Sequence, residues 1–259
     1  MNMDLIITLI ISNWHIILLF FIVAILYSSV GFGGGSSYLA ILALTSLAYT
    51  QIRATALLCN IVVVSGNVFI YYQKKELNIP KILPLVLLSI PFAYLGGYLK
   101  ISENFFFILL GITLIFASIT IWISKKIITS TKSVKQNNSE KNGAIGGLIG
   151  FISGIVGIGG GIFLAPILHL INWDSPKKIA ATASVFIFVN SIAGFIGQTS
   201  NPDFQIDWNL TSILLIIVFV GGQIGSRISN NFFTQIQLKK ATAVLIAFVG
   251  LKILYDFIF

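Results

Sequence analysis

Residues 29–35 read Ser-Val-Gly-Phe-Gly-Gly-Gly, and residues 155–161 read Ile-Val-Gly-Ile-Gly-Gly-Gly. The likeness extends outward from these two clusters. Ala54-Thr55-Ala56 returns as Ala181-Thr182-Ala183, Leu95-Gly96 returns as Ile224-Gly225, and a last apolar stretch follows each. Self-similarity on this scale marks a duplicated unit, here spanning roughly residues 5–124 and 143–258. The fold therefore turns on what a glycine cluster does inside such a unit.

The surroundings are apolar. Hydrophobic residues make up 56% of the chain and charged residues 9%, where a soluble domain carries about 25% charged residues; the mean hydropathy is +0.96. Stretches such as Leu5 to Tyr27, Leu83 to Leu99, Phe105 to Ile123 and Leu210 to Val220 recur along the chain, and one crossing of a bilayer needs about 20 residues. They lack the period-2 alternation of barrel strands. The expected fold is an all-α polytopic membrane protein with lipid as its solvent. Met1 to Asp4 offers no basic leader and no small-residue cleavage pattern follows Tyr27, so the first segment is expected to be retained. The single cysteine, Cys59, excludes an internal disulfide and a cysteine-based zinc site. No cofactor is expected, and the net charge of +8 reports membrane orientation rather than nucleic acid.

Each unit reads as a short segment, the glycine break, a second short segment and three full-length helices. The first gives about 14–30, 35–48, 52–72, 81–99 and 104–124, and the second about 143–156, 161–172, 178–197, 208–227 and 238–258. Residues 1–124 thus form a first transmembrane repeat, 125–142 a polar linker rich in Lys, Ser and Asn, and 143–259 a second repeat. Five segments per unit is odd, so the second unit enters the membrane from the opposite face: an inverted repeat. Charge supports this. With the linker in the cytoplasm, the inside holds Lys74, Lys75, Lys81, Lys125, Lys126, Lys132, Lys135, Lys141, Lys177, Lys178, Arg227, Lys239 and Lys240, thirteen of the sixteen basic residues, leaving Arg53, Lys100 and Lys252 outside. Reading each broken stretch as one kinked crossing would put Lys177, Lys178, Arg227, Lys239 and Lys240 outside, against the positive-inside bias of short loops. Both termini are expected outside the cytoplasmic membrane.

Backbone that leaves helical geometry inside a bilayer is tolerated only where protein or a water-filled cavity satisfies it. Gly33, Gly34 and Gly35, with Gly159, Gly160 and Gly161, supply that irregularity, and each break opens a short helix whose free N–H groups face it. A helix N-terminus carries about +0.5 charge and attracts anions. In an inverted repeat the two breaks come from opposite faces and meet near the midplane, the recurring plan of secondary transporters. The expected partner besides lipid is a small anionic solute. All eight carboxylates, Asp4, Glu76, Glu103, Glu140, Asp174, Asp203, Asp207 and Asp256, fall near loops or chain ends, which disfavours a carboxylate proton relay or cation site. No paired acids or HExxH motif suggest an intramembrane protease.

Neutral polar residues flank the breaks: Ser36, Ser37, Thr55, Asn60, Ser65 and Asn67 in the first half, and Thr182, Ser184, Asn190, Ser191 and Gln198 in the second. Interhelical hydrogen bonding is their ordinary role; Ser36, Asn60 and Asn190 are singled out as side-chain donors to an anion. His15 and His169 read as packing or interfacial residues. Arg53, at the start of a full helix, reads as a snorkelling residue at the interface, with attraction of anions to the outer mouth as the alternative.

On these motifs the chain resembles the sulfite exporter TauE/SafE family. The resemblance covers nearly the whole length: the two glycine motifs, the Ala-Thr helix after each, and Gly221-Gly-Gln-Ile-Gly225. Gly157 to Gly161 with Pro166 five residues later looks like the family's second-repeat pattern, while the first copy has Ala40 where that proline would align. The resemblance implies movement of sulfur-containing anions such as sulfite, sulfonates or sulfoacetate, and no enzymatic activity. The site residues that follow are Gly33, Gly34, Gly35, Ser36, Asn60, Gly159, Gly160, Gly161 and Asn190, serving alternating access; an anion channel using the same helix ends is the alternative.

Overall fold

The structure, a computed structural model, describes every residue except 1, 2, 30, 125–138, 203, 229–234 and 259; of residues 3, 5, 6, 121, 123, 124, 228, 235–242 and 245 it describes the backbone only. Most of the linker, with Lys125, Lys126, Lys132 and Lys135, and also Asp203, lies outside the described residues. Those described form helices joined by short turns: α1 Met3–Ser12, α2 Trp14–Ser29, α3 Gly35–Leu42, α4 Tyr49–Gln73, α5 Ile79–Tyr98, α6 Glu103–Ser124, α7 Ser139–Val156, α8 Gly161–Leu170, α9 Pro176–Thr199, α10 Trp208–Ile228 and α11 Gln235–Ile258.

The element order follows the sequence reading, with three main shifts at ends. α3 stops at Leu42, short of the expected 48. α7 begins at Ser139, so the last residues of the expected linker are helical. The first segment extends back through α1, because the Asn13 N–H donates to Leu9 O and Asn13 O accepts from the Ile17 N–H, each at 3.0 Å. The ladder thus runs almost unbroken from α1 into α2.

Among the described residues, five helices are long and apolar enough to cross a membrane: α4, α5, α6, α9 and α10. Their environment is inverted relative to a soluble protein. Leu83, Leu87, Phe116, Ile216, Phe248 and Leu251 are exposed, while Thr55, Asn60, Asn67, Ser184, Asn190 and Thr211 are buried. Apolar side chains facing outward and polar ones inward is the arrangement lipid selects. The chain is a multi-pass membrane protein.

Packing between the halves is reciprocal. α5 lies on α7 as α10 lies on α2, α6 meets α8 as α11 meets α3, and α4 pairs with α9 and α6 with α11. Glycine sets how close these helices come. A Cβ on Gly146, Gly150 or Gly154 of α7 would collide with the carbonyl oxygen of Leu85, Ser89 or Ala93 of α5, and one on Gly221 or Gly225 of α10 with that of Phe21 or Ile25 of α2. Small residues at a seam let backbones touch, which is where packing energy in lipid comes from.

Register gives direction. The partners of Gly146, Gly150 and Gly154 rise along α5 as the glycines rise along α7, so these helices are parallel. Asn190 of α9 donates to Ser89 of α5 at 2.9 Å, and Gly197 abuts Tyr94, so α9 is parallel to α5 as well. α7 and α9 therefore point the same way and the short α8 between them runs back. In the first half Thr55 and Thr211 share a hydrogen bond of 3.0 Å and Gly66 abuts Gln223; α10 is parallel to both α4 and α2, and α3 runs back. α6 and α11 are antiparallel, with the Phe107 and Phe257 rings stacked at 4.3 Å and Ser118 Oγ donating to Ala243 O at 2.8 Å.

The starts of α5 and α9 are tied at one face by Lys81 Nζ and Asp174, 2.8 Å apart, with the ammonium 5.4 Å from the Trp173 ring centre. At the far ends of the same helices Tyr94 Oη donates to Ser200 Oγ at 3.3 Å. Partial burial alone would raise the Asp174 pKa; the Lys81 and Ser175 N–H hydrogen bonds and the charges of Lys81 and Lys178 outweigh it and hold the carboxyl below its ordinary value. An acid with a lowered folded pKa contributes stability in full above its unfolded pKa, about 3.9 for Asp, and loses it as pH falls through the folded value.

Two outcomes are expected from thermal unfolding in detergent. Gly146→Ala should cost about 1–3 kcal/mol by overpacking the α5–α7 seam, and Gly146→Leu should yield no monodisperse protein. Asp174→Asn should melt slightly below the wild type at neutral pH, by no more than about 1 kcal/mol for a partly exposed pair, and the gap should close as the pH is taken below about 3.9.

Candidate functional site

Both breaks are built alike. After α2 the chain passes Gly31 at φ +85° and Gly34 at φ +89°; after α7 it passes Gly157 at +87°, Gly159 at +81° and Gly160 at +81°. The left-handed region excludes most side chains because of Cβ crowding, so these turns require glycine. Gly34 is the N-cap of α3 and Gly160 that of α8, neither with a side-chain cap. Gly34 O accepts from the N–H groups of Ser37 and Tyr38, and Gly160 O from those of Phe163 and Leu164. The N–H groups of Gly33, Gly34, Gly35 and Ser36, and of Gly159, Gly160, Gly161 and Ile162, donate to no backbone acceptor among the described residues. These are the orphan donors of two helix starts, each carrying a partial positive charge. With 8 residues in α3 and 10 in α8, the helices behind them are about 12 and 15 Å long, half a bilayer core.

The two breaks touch. A Cβ on Gly35 would stand 2.7 Å from Ile158 O and overlap the Asn60 amide. Asn60 Nδ2 donates to Ile158 O at 2.9 Å, so a side chain of the first half grips the second break. The reverse grip exists too: Ser184 Oγ, on α9, donates to Gly31 O. Gly33 abuts Asn60 Oδ1 and Val64, while Gly159 lies under Ser191 Oγ at 2.7 Å and Asn60 Nδ2 at 3.0 Å, measured from the position its Cβ would take, and Gly161 lies under Ile187. Pairing Ala54 with Ala181 aligns Asn60 with Ile187 and Val64 with Ser191. Each break is thus flanked by one polar and one apolar side chain, in opposite order. Asn60 Oδ1 and Ser191 Oγ have no hydrogen-bond partner, leaving acceptor and donor capacity at the junction.

All nine residues expected at the site are buried, but only some meet. Gly33, Gly35, Asn60 and Gly159 converge with Ile158 and Ser191; Gly34 and Gly160 hold the helix starts, with Tyr38 and Phe186 packed over them, and Gly161 opens α8 beneath Ile187. The Ser36 hydroxyl is 3.5 Å from Tyr27 Oη, whose shorter bond, 2.8 Å, is to Ser37. Asn190 uses Nδ2 on Ser89 Oγ at 2.9 Å and Phe186 O at 2.8 Å, joining α9 to α5; its Oδ1 is unpartnered. Its neighbour Ser191 reaches the break instead. Residue type alone favours Asn190, whereas the repeat offset, which sets Ser191 opposite Val64, was the signal for Ser191.

Arg53 requires a correction. It does not snorkel to the interface but is 2% exposed, its Nη2 donating to Gly96 O at 3.3 Å, Gly97 O at 3.4 Å and Gly154 O at 3.1 Å. Those carbonyls belong to the last turns of α5 and α7, whose partial negative charge attracts a cation. Among the described residues no group of three or more His, Cys, Asp or Glu could hold a metal.

The chain matches the family described as Sulfite exporter TauE/SafE over residues 16–253. It is 31% identical over 245 residues to the probable membrane transporter protein y4hK of Sinorhizobium fredii, covering 91% of this chain and 96% of that protein. It is 25% identical over 223 residues to the probable membrane transporter protein YunE of Bacillus subtilis, covering 79% and 81% respectively. No solved structure matches it.

Proposed function

The chain belongs to the sulfite exporter TauE/SafE family of membrane transporters, and on that premise we propose that it is a secondary transporter of a small anion whose binding site is the junction of the two glycine breaks. The observation that carries this reading is the contact of Gly35 with Ile158 across Asn60, which brings two uncapped helix starts to one buried point without a carboxylate. Two such ends offer about one unit of positive potential, enough to offset a monovalent anion. Neutral donors suit a ligand that must leave again. Sulfur-containing anions, sulfite first, are the substrates we assign.

The repeats 1–124 and 143–259 are inverted about the junction in this reading, with 125–142 as a cytoplasmic linker and both termini outside the cytoplasmic membrane. The parallel course of α7 and α9, the return of α8, and the Lys81–Asp174 pair that puts the starts of α5 and α9 on one face support the topology. Each is hard to reconcile with a kinked single crossing. Burial of the junction on all sides favours a carrier that alternates access over a continuous pore, and the reciprocal seams supply two equivalent surfaces for such movement.

Purified protein in liposomes should take up radiolabelled sulfite saturably and exchange it against internal sulfite. Flux without counter-exchange would replace the carrier with a channel. Gly34→Leu and Gly160→Leu should abolish uptake, since a side chain is strained at either φ. As a variant that keeps the backbone intact, Asn60→Ala should lower kcat/KM at least about tenfold while costing only about 1 kcal/mol in stability, the usual worth of one hydrogen bond between membrane helices. Unimpaired uptake by Asn60→Ala would move the site elsewhere.

A further inference from the structure

A second feature bears on anions and lies beside the second glycine break, where a Cβ on Gly157 would stand 3.2 Å from Arg53 Cα. Where α5 and α9 end, on the face opposite the Lys81–Asp174 pair, a cleft of about 240 Å³ is lined by Tyr49, Arg53, Lys100, Gln198, Asn201 and Phe204 among others. At about 30 Å³ per water molecule, it has room for a small oxyanion and part of its hydration. Two of its residues are polar, deeply buried and short of partners. Gln198 is 4% exposed, yet neither its Oε1 nor its Nε2 has a hydrogen-bond partner. Arg53 is 2% exposed; Nη2 alone reaches the three carbonyls, and Nε has no acceptor. No carboxylate among the described residues pairs with it.

Burying a guanidinium and leaving a primary amide unpaired both cost free energy. Three carbonyls and two helix ends offset part of the Arg53 charge, and they do nothing for Gln198. An oxyanion in the cleft would supply acceptors to both. We propose that this cleft is a second binding site for a small oxyanion, with the Arg53 guanidinium and the Gln198 amide as its donors. It exists on one face only, because the residue aligned with Arg53 in the second repeat is Ala180. The duplication therefore leaves the two faces chemically unequal, and the cleft captures anion on its own face. That role in transport rests on the carrier reading above; the binding itself does not.

The two readings separate in one set of measurements on the full chain. In detergent, the Asn60→Ala protein, disabled at the junction, should still bind radiolabelled sulfite, and adding Gln198→Leu should weaken that binding about tenfold, the loss of one hydrogen bond to a charged ligand. Arg53→Gln should abolish it; since this variant also breaks the brace between α5 and α7, Gln198→Leu carries the test. Binding by Asn60→Ala that is absent, or that ignores Gln198→Leu, overturns the cleft. Gln198-sensitive binding in a protein that moves no anion would keep the cleft and overturn the carrier.

Discussion

A peptide group in hydrocarbon has no water to turn to, and the rest of this structure is arranged around the two places where the chain breaks that rule. At Gly31 to Gly35 and Gly157 to Gly161 the helical ladder stops inside the bundle, leaving N–H groups that the backbone does not satisfy. Such a defect survives only if other protein covers it. The carbonyls of the breaks are covered mutually, Asn60 of the first half donating to Ile158 O of the second break and Ser184 of the second half to Gly31 O of the first, while the N–H groups at the helix starts keep their donor capacity. Each break thus depends on a side chain from the other part of the chain.

That requirement also explains the helix packing. For the breaks to meet, α7 must press on α5 and α2 on α10, closely enough that a methyl group on Gly146 or Gly225 would enter the facing backbone. The seams are made of backbone and small residues rather than interdigitated large ones.

The symmetry is not complete, and its departures are chemical. Asn60 faces Ile187 across the repeat, Val64 faces Ser191, and Arg53 faces Ala180. The polar groups at the junction are thus shared between halves rather than doubled, and Arg53, the one deeply buried cation among the described residues, stands at a single face.

Much of this was legible in the sequence because the constraints involved are local or periodic. Apolar length and the repeated glycine cluster depend on what lipid does to each residue independently, so they indicated the helices and pointed to the breaks. Asn60 was readable too, being polar in a helix next to a break. Which of Asn190 and Ser191 turns toward Gly159, and whether Arg53 reaches the interface or two helix ends, could not be read that way. Each answer depends on a partner more than forty residues away, Ser89, Gly96 or Gly154, brought near only when the halves close on each other. The sequence by itself determined that this chain lives in a membrane, is built twice and breaks its helices at two points; the tertiary structure decided that the two breaks touch, because only packing can show which orphaned backbone group finds which side chain.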